Sequence, residues 1–165
     1  MKIENFAPDE QDEIKAFVLG IQNGEFNLSF EADEQPDLLN IQKFYGSGGF
    51  WVAKVDNSIV GTIGLQKLDE ESGALRKMFV RKEYRSSDLK IAQKLFHRLL
   101  NTAQKKGFRY ILLDTPAIAG AAHRFYEKNG FIRLSKSQVP THYNYPDRDS
   151  RIYKLVLRGD HPEYT

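Results

Sequence analysis

Ala92, Leu95, Phe96, Leu99, Leu100 and Ala103 recur at three- and four-residue steps. That spacing predicts a long amphipathic helix with one buried stripe. Segments of a different character bracket it. Before it, "GALRKMFVR" reads as a strand. After it, beyond a closing Gly107, "FRYILLDT" is a near-continuous apolar run. Such a run suits a strand covered on both faces. The stripe must therefore lie against a sheet, and the sheet must have a second cover.

The rest of the chain fits that frame. "MKIENFA" is a short strand candidate. "PDEQDEIKAFVLGIQNGEF" places Ile14, Phe17, Val18 and Ile21 at helical spacing, with acids in the first turn. An acidic loop follows, then a second predicted helix with Leu38, Leu39, Ile41, Phe44 and Tyr45, ended by the glycines of "GSGG". "FWVAKVDNSIVGTIGLQKL" is two β-rich runs around an Asp56-Asn57-Ser58 turn, a hairpin signal. "AGAAHRFYEKNG" reads as a short helix capped by Gly130. "FIRLSKSQ" and "SRIYKLVL" are strands joined by the loop "VPTHYNYPDRD". The predicted order is βααβββαβαββ. It implies an α/β (α+β) fold, a mixed sheet with helices on both faces. Nothing resembles an interdomain linker, so residues 1–165 are read as a single domain.

Composition narrows the function. The chain has no cysteine, which removes disulfides, thiolate metal sites and a cysteine nucleophile, and suits a reducing compartment. His97, His123, His142 and His161 are dispersed, with no metal-ligand spacing, so no metal is expected. No basic segment leads into an apolar run near the start, and no apolar run approaches the roughly 20 residues of a membrane span. The expectation is a cytoplasmic protein with no membrane partner. Net charge is only +2, which does not point to nucleic acid.

Three patterns carry possible chemistry. "GSGG" lies between a helix and a strand, the reverse of a nucleophile elbow, and reads as a helix stop. The G-x-G-x-x-G fingerprint of nicotinamide binding is absent. Arg76, Lys77, Arg81, Lys82, Arg85 and Lys90 converge on the junction "YRSSDLKIAQKLF", where a strand gives way to a helix. That run reads either as a solvated strand end or as an attractor of a polyanion at a helix N-terminus. Ser86, Ser87 and Asp88 also read as ordinary helix caps. Asp88 in the first turn would compete for the N–H groups an anion needs.

"AAHRFYEKNGF" resembles the last helix motif of the GNAT superfamily of N-acetyltransferases. Outward from it, "IVGTIGL" is similar to that family's third strand and "LRKMFV" to its fourth. "YRSSDLKIAQKLF" is similar to its pyrophosphate loop and "ILLDT" to its fifth strand. The resemblance covers about residues 50–131, and the element order is also the family's. It implies a GNAT-like, mostly antiparallel mixed sheet. It also implies direct transfer of acetyl from acetyl-coenzyme A, as co-substrate, to an amine of a small molecule or protein. The pyrophosphate would meet N–H groups between Ser86 and Ala92, through Ser87 and Ile91, with Arg85 and Lys90 supplying charge. Met78, Phe79 and Val80 would pair with the pantetheine, with Thr115 nearby on the fifth strand. Tyr126 matches the family's tyrosine and would protonate the departing thiolate. The first two helices and the last loop would cover the acceptor, which points to Glu25, Phe26, Phe30, Tyr143 and Tyr145.

The match has departures. Arg85 and Ala92 stand seven apart where the family's loop ends stand five apart, and Lys90 takes the place of the inner glycine. Ala119 stands where the family often has an asparagine. Ala74 stands where many members carry a glutamate on the fourth strand, so the general base is open among Glu25, Glu31, Asp33, Glu71 and a water relay. These departures motivate an alternative, a non-catalytic acyl-coenzyme A sensor or scaffold. A nucleic-acid module is a third reading, disfavoured because no aromatics interleave with the basic residues. A homodimer is left open.

Overall fold

The computed structural model describes residues 1–145 and 149–157. Strand β1 (Lys2–Asn5) leads through a 3-10 turn at Pro8–Glu10 into α1 (Gln11–Leu19). Asp12 and Glu13 occupy the first turn of α1, where the helix dipole favours them. The helix widens into a π-helical segment, Gly20–Glu25.

The predicted second helix is two separate turns, α2 (Pro36–Leu39) and α3 (Ile41–Phe44). Asn40 splits them with a φ of −153°, and its side-chain oxygen accepts from the Lys43 N–H. An asparagine that caps the turn ahead of it cannot continue the turn behind it. Leu39, assigned to the apolar stripe from sequence, is 51% exposed as a result.

Strands β2 (Gly49–Val55) and β3 (Ser58–Lys67) form a hairpin. Its two-residue loop, Asp56 and Asn57, has φ of +51° and +66°, the left-handed pair that matches strand twist. Then come β4 (Ser72–Val80), α4 (Ile91–Lys105), β5 (Tyr110–Pro116), α5 (Gly120–Lys128), β6 (Ile132–Leu134) and β7 (Ser150–Val156). Gly107 and Gly130 follow the ends of α4 and α5 at φ of +79° and +95°. The strand expected over "FIRLSKSQ" stops at Leu134, because Ser135 and Gln138 form a reciprocal capping box on the next turn.

Among the described residues, the strands form one sheet in the order β1-β2-β3-β4-β5-β7-β6. Every pairing is antiparallel except β4 with β5. On one face Leu95, Phe96 and Leu99 of α4 pack on Trp51, Ile63, Leu113 and Phe131. On the other, Ile14 and Val18 of α1 and Leu38 and Ile41 pack on Phe50, Val52 and Ile59. Farther along that second face, Ala74, Leu112 and Ile152 form a smaller cluster under Tyr143. The fold is the mixed, mostly antiparallel sheet with helices on both faces that the sequence implies. No helix among the described residues is long and apolar enough to cross a membrane.

Candidate active site

Two irregularities of β4 create the site. β4 and β5 pair only where Ser72–Ala74 meet Tyr110–Leu112, yet the strands run on to Val80 and Pro116. Beyond Ala74 the two strands no longer bond to each other, so their facing edges leave a gap. The second irregularity is a bulge opposite β3. Thr62 pairs with Phe79 and Gly64 with Arg76, so Lys77 and Met78 stand against Ile63 alone. Lys77 takes a φ of +51°, and its carbonyl accepts from the Thr62 hydroxyl at 2.7 Å.

The bulge changes which side chains face which layer. In a regular strand Arg76 and Lys77 would point to opposite faces. Here both reach the α1–α3 side, while Met78 packs into the α4 side. Lys77 pairs with Asp37 of α2 at 3.2 Å, and the Tyr45 hydroxyl donates to the same carboxylate at 2.6 Å. Burial first, then the Asp37 charge, pushes the Tyr45 phenol well above its ordinary pKa. Arg76 donates to Gln66 at 3.1 Å, to Asp114 of β5 at 2.8 Å, to the Tyr143 hydroxyl at 3.1 Å and to the Asn144 carbonyl at 2.8 Å. Tyr143 donates to Asp114 at 2.5 Å and stacks on Tyr145 at 5.6 Å. One guanidinium thus ties β4, β5 and the loop before β7 together at the gap.

Tyr126 of α5 approaches from the other face. Its ring is buried against Phe125, Phe131 and Tyr153. Its hydroxyl has one described partner, the Met78 Sδ at 3.9 Å, a weak acceptor. Burial, then the Asp114 charge, raises its pKa, so the phenol keeps its proton at neutral pH.

The junction after β4 differs from the sequence expectation. Residues Lys82–Tyr84 form a 3-10 turn and α4 begins only at Ile91, so Ser86, Ser87 and Asp88 lie outside the helix. Asp88 is exposed and does not cap α4, which has no side-chain cap. Ser86 and Lys90 adopt φ of +57° and +51°. Lys90, in the place of a glycine, keeps the left-handed conformation a glycine would supply. Among the described residues, the N–H groups of Ser86, Ser87, Asp88, Leu89, Ile91 and Ala92 find no acceptor. Together with the free first turn of a fifteen-residue helix, they form an anion-favouring concavity.

The basic run is not a free cationic patch. Arg76 and Lys77 are consumed in the pairs above. Arg85 donates to the Val80 carbonyl at 2.8 Å and grips Glu25 with both terminal nitrogens, over the Phe26 ring. That grip holds the Glu25 carboxyl below its ordinary pKa. Arg85, expected to supply free charge to the loop, instead ties it to the end of the first helix. Lys82 and Lys90 remain exposed there.

The other residues expected from sequence are scattered. Glu71 precedes β4 at its far end, exposed and 3.5 Å from Arg109. Glu31 and Asp33 are exposed and bond to nothing at the gap. Phe30 is stapled through its backbone to Asn23. Ala92 is half-buried and Ile91 buried at the start of α4, Phe79 and Val80 pair with β3, and Thr115 is buried on β5. Sequence reasoning missed Arg76, Lys77, Asp37 and Asp114 as members of one cluster. Asp114 carried a signal. A carboxylate inside an apolar strand requires a buried partner. A separate groove of about 510 Å³, lined in part by Phe6, Gln42, Trp51, Arg98 and Lys106, touches neither β4 nor β5.

The chain as a whole is similar to known proteins. Residues 46–133 fit the family model "Acetyltransferase (GNAT) domain". The chain is 38% identical to an acetyltransferase of the GNAT family from Staphylococcus aureus Mu50, with a TM-score of 0.90 over 95% of this chain and 99% of that one. It is 33% identical to an acetyltransferase from Streptococcus agalactiae 2603, with a TM-score of 0.88 over 94% and 98% of the two chains. Over 110 residues it is 35% identical to the probable N-acetyltransferase camello of Xenopus tropicalis, covering 64% of this chain. The chain spans about half the length of that relative, 49%. The matched span holds the split strand pair, the bulge, the unpaired loop and the buried tyrosine, and the chain belongs to the GNAT family of acetyltransferases.

Proposed function

We propose that the protein, acting as one domain, transfers acetyl from acetyl-coenzyme A to the amine of a small molecule or protein by direct attack. The observation that carries this reading is the split between β4 and β5, with the Tyr126 hydroxyl on one face and a carboxylate cluster on the other. Unpaired N–H groups between Ser86 and Ala92 suit a diphosphate, and exposed Lys82 and Lys90 add charge. The unpaired β4 edge from Met78 to Val80 suits an extended amide-bearing arm. A donor fixed there stabilises charge developing on the thioester oxygen. Tyr126, protonated and nearly without a partner, donates its proton to the leaving sulfur. Tyr143 and Tyr145 line the acceptor side. A cysteine-free composition suits a reducing, cytoplasmic setting.

The test is a thermal-shift titration with acetyl-coenzyme A, then an amine panel read by thiol release. Saturation near a hundred times the dissociation constant adds about 2.7 kcal/mol of stability. Tyr126→Phe should lower kcat by roughly 10²-fold or more while leaving that shift intact. No shift with acetyl-coenzyme A overturns the reading, and full turnover by the Phe variant removes Tyr126 from the acid role.

A further inference from the structure

An acceptor amine is largely ammonium at neutral pH and must lose a proton before it attacks. None of the four carboxylates expected from the sequence stands at the gap with an oxygen to spare. Both Glu25 oxygens are held by Arg85. Glu71 lies at the other end of β4 beside Arg109. Glu31 and Asp33 are exposed and bond to nothing at the gap. Ala74, the last β4 residue paired with β5, is buried in an apolar cluster.

We propose that Asp114 is the proton acceptor for the amine, an assignment that rests on the acetyl-transfer reading above. Asp114 lies on β5 two residues past Leu112, the last residue paired with β4, on the face of the sheet opposite Tyr126. Its Oδ1 accepts from both Arg76 and Tyr143, while its Oδ2 accepts no hydrogen bond from any described residue. One oxygen is therefore anchored and the other is available, which is the arrangement a positioned base needs. Arg76 supplies the counter-charge that lets a carboxylate sit with a side-chain exposure of only 14%. The acid and the base stand on opposite faces of one gap, so proton removal and proton delivery are kept apart.

The step balances. The N–H bond of the ammonium breaks and its proton goes to Asp114 Oδ2. The freed pair on nitrogen forms the C–N bond, the C–S bond breaks, and the sulfur takes the Tyr126 proton. The nitrogen, still positive after attack, loses its second proton to solvent as the amide forms, Asp114 returns the first proton to solvent, and Tyr126 is reprotonated from solvent. The charged and titratable groups that bond Asp114 are Arg76 from β4 and Tyr143 from the loop, and its charge is also felt by Tyr126 of α5 across the gap. Lys77, Asp37 and Tyr45 form the adjoining three-residue cluster.

The experiment measures kcat/KM against pH for the full chain and its variants, with an amine found active on the wild type. Asp114→Asn should lose about 10²–10³-fold at pH 7, with the gap narrowing as pH approaches the pKa of the amine. Its thermal shift with acetyl-coenzyme A should match the wild type. Formate should restore part of the turnover of Asp114→Ala. Tyr143→Phe keeps the carboxylate and its arginine but removes one bond to the charged form. It should lower kcat several-fold with little change in KM, a split that a merely structural role would not produce. This second variant decides the matter if Asp114→Asn does not fold. If the wild type binds acetyl-coenzyme A but acetylates no amine, the acetyl-transfer reading falls and this assignment with it. If the wild type is active and Asp114→Asn runs parallel to it within threefold at every pH, only this assignment falls. An unchanged kcat in Tyr143→Phe overturns it equally.

Discussion

Lys90 is the most informative single position for the loop. It sits immediately before α4 at φ +51° and ψ +47°. For a residue with a Cβ that conformation costs about 1–2 kcal/mol. Lys90→Gly removes this cost but adds unfolded-chain entropy worth about 0.5–1 kcal/mol. The net is a gain of roughly 0.5–1 kcal/mol, or about 2–4 °C in Tm for each kcal/mol in a chain of this size. Lys94 is the internal control. It too is an exposed lysine, but it lies inside α4 with its N–H on the Lys90 carbonyl. Lys94→Gly removes the same charge and should cost about 1 kcal/mol. Urea denaturation of the two variants without ligand reads the contrast through the midpoint at unchanged slope. Opposite signs support a left-handed Lys90. A loss in Lys90→Gly equal to that in Lys94→Gly would refute it, and with it the claim that this loop keeps a glycine's geometry without a glycine.

Other expectations follow from the packing. Asp37→Ala leaves the Lys77 ammonium and the Tyr45 hydroxyl without their shared acceptor. It should cost about 3–5 kcal/mol by chemical denaturation. Gly64→Ala would place a methyl 2.7 Å from the Tyr45 ring and should cost about 1–3 kcal/mol. Glu25→Gln frees the Arg85 guanidinium beside the loop and should tighten acetyl-coenzyme A binding several-fold, an effect that fades with added salt. Burial lowers the His123 pKa, and the residue is 5% exposed. Its unfolded state binds more protons, so its stabilisation is full above pH about 6.5 and is lost as pH falls toward the folded value. His123→Gln should flatten that part of the stability profile.

The helical stripe of α4, the apolar run of β5, the Asp56–Asn57 hairpin and the two glycine stops were legible in the sequence. Each is a local rule: a period, a turn pair or a left-handed cap. The second helix was misread because its apolar spacing is helical across Asn40, and only the side chain of Asn40 breaks it. Tyr126 was named through its motif, and only the fold shows that it is buried with its hydroxyl on Met78. Arg85 and Glu25 were both named, but as separate players, and the structure joins them into one pair.

What the sequence determined alone was which elements form and in what order, because periodicity and turn chemistry act over a few residues. Tertiary structure decided where β4 and β5 part and which face each β4 side chain takes. One bulged residue, Lys77, reverses the alternation that sequence reading assumes, and it brings Arg76 and Lys77 to the same side. Asp114 meets Arg76 across 38 residues of chain, and Tyr143 meets Arg76 across 67. No local pattern encodes such a meeting, since it arises only when buried charges on separate strands must find partners in the folded sheet.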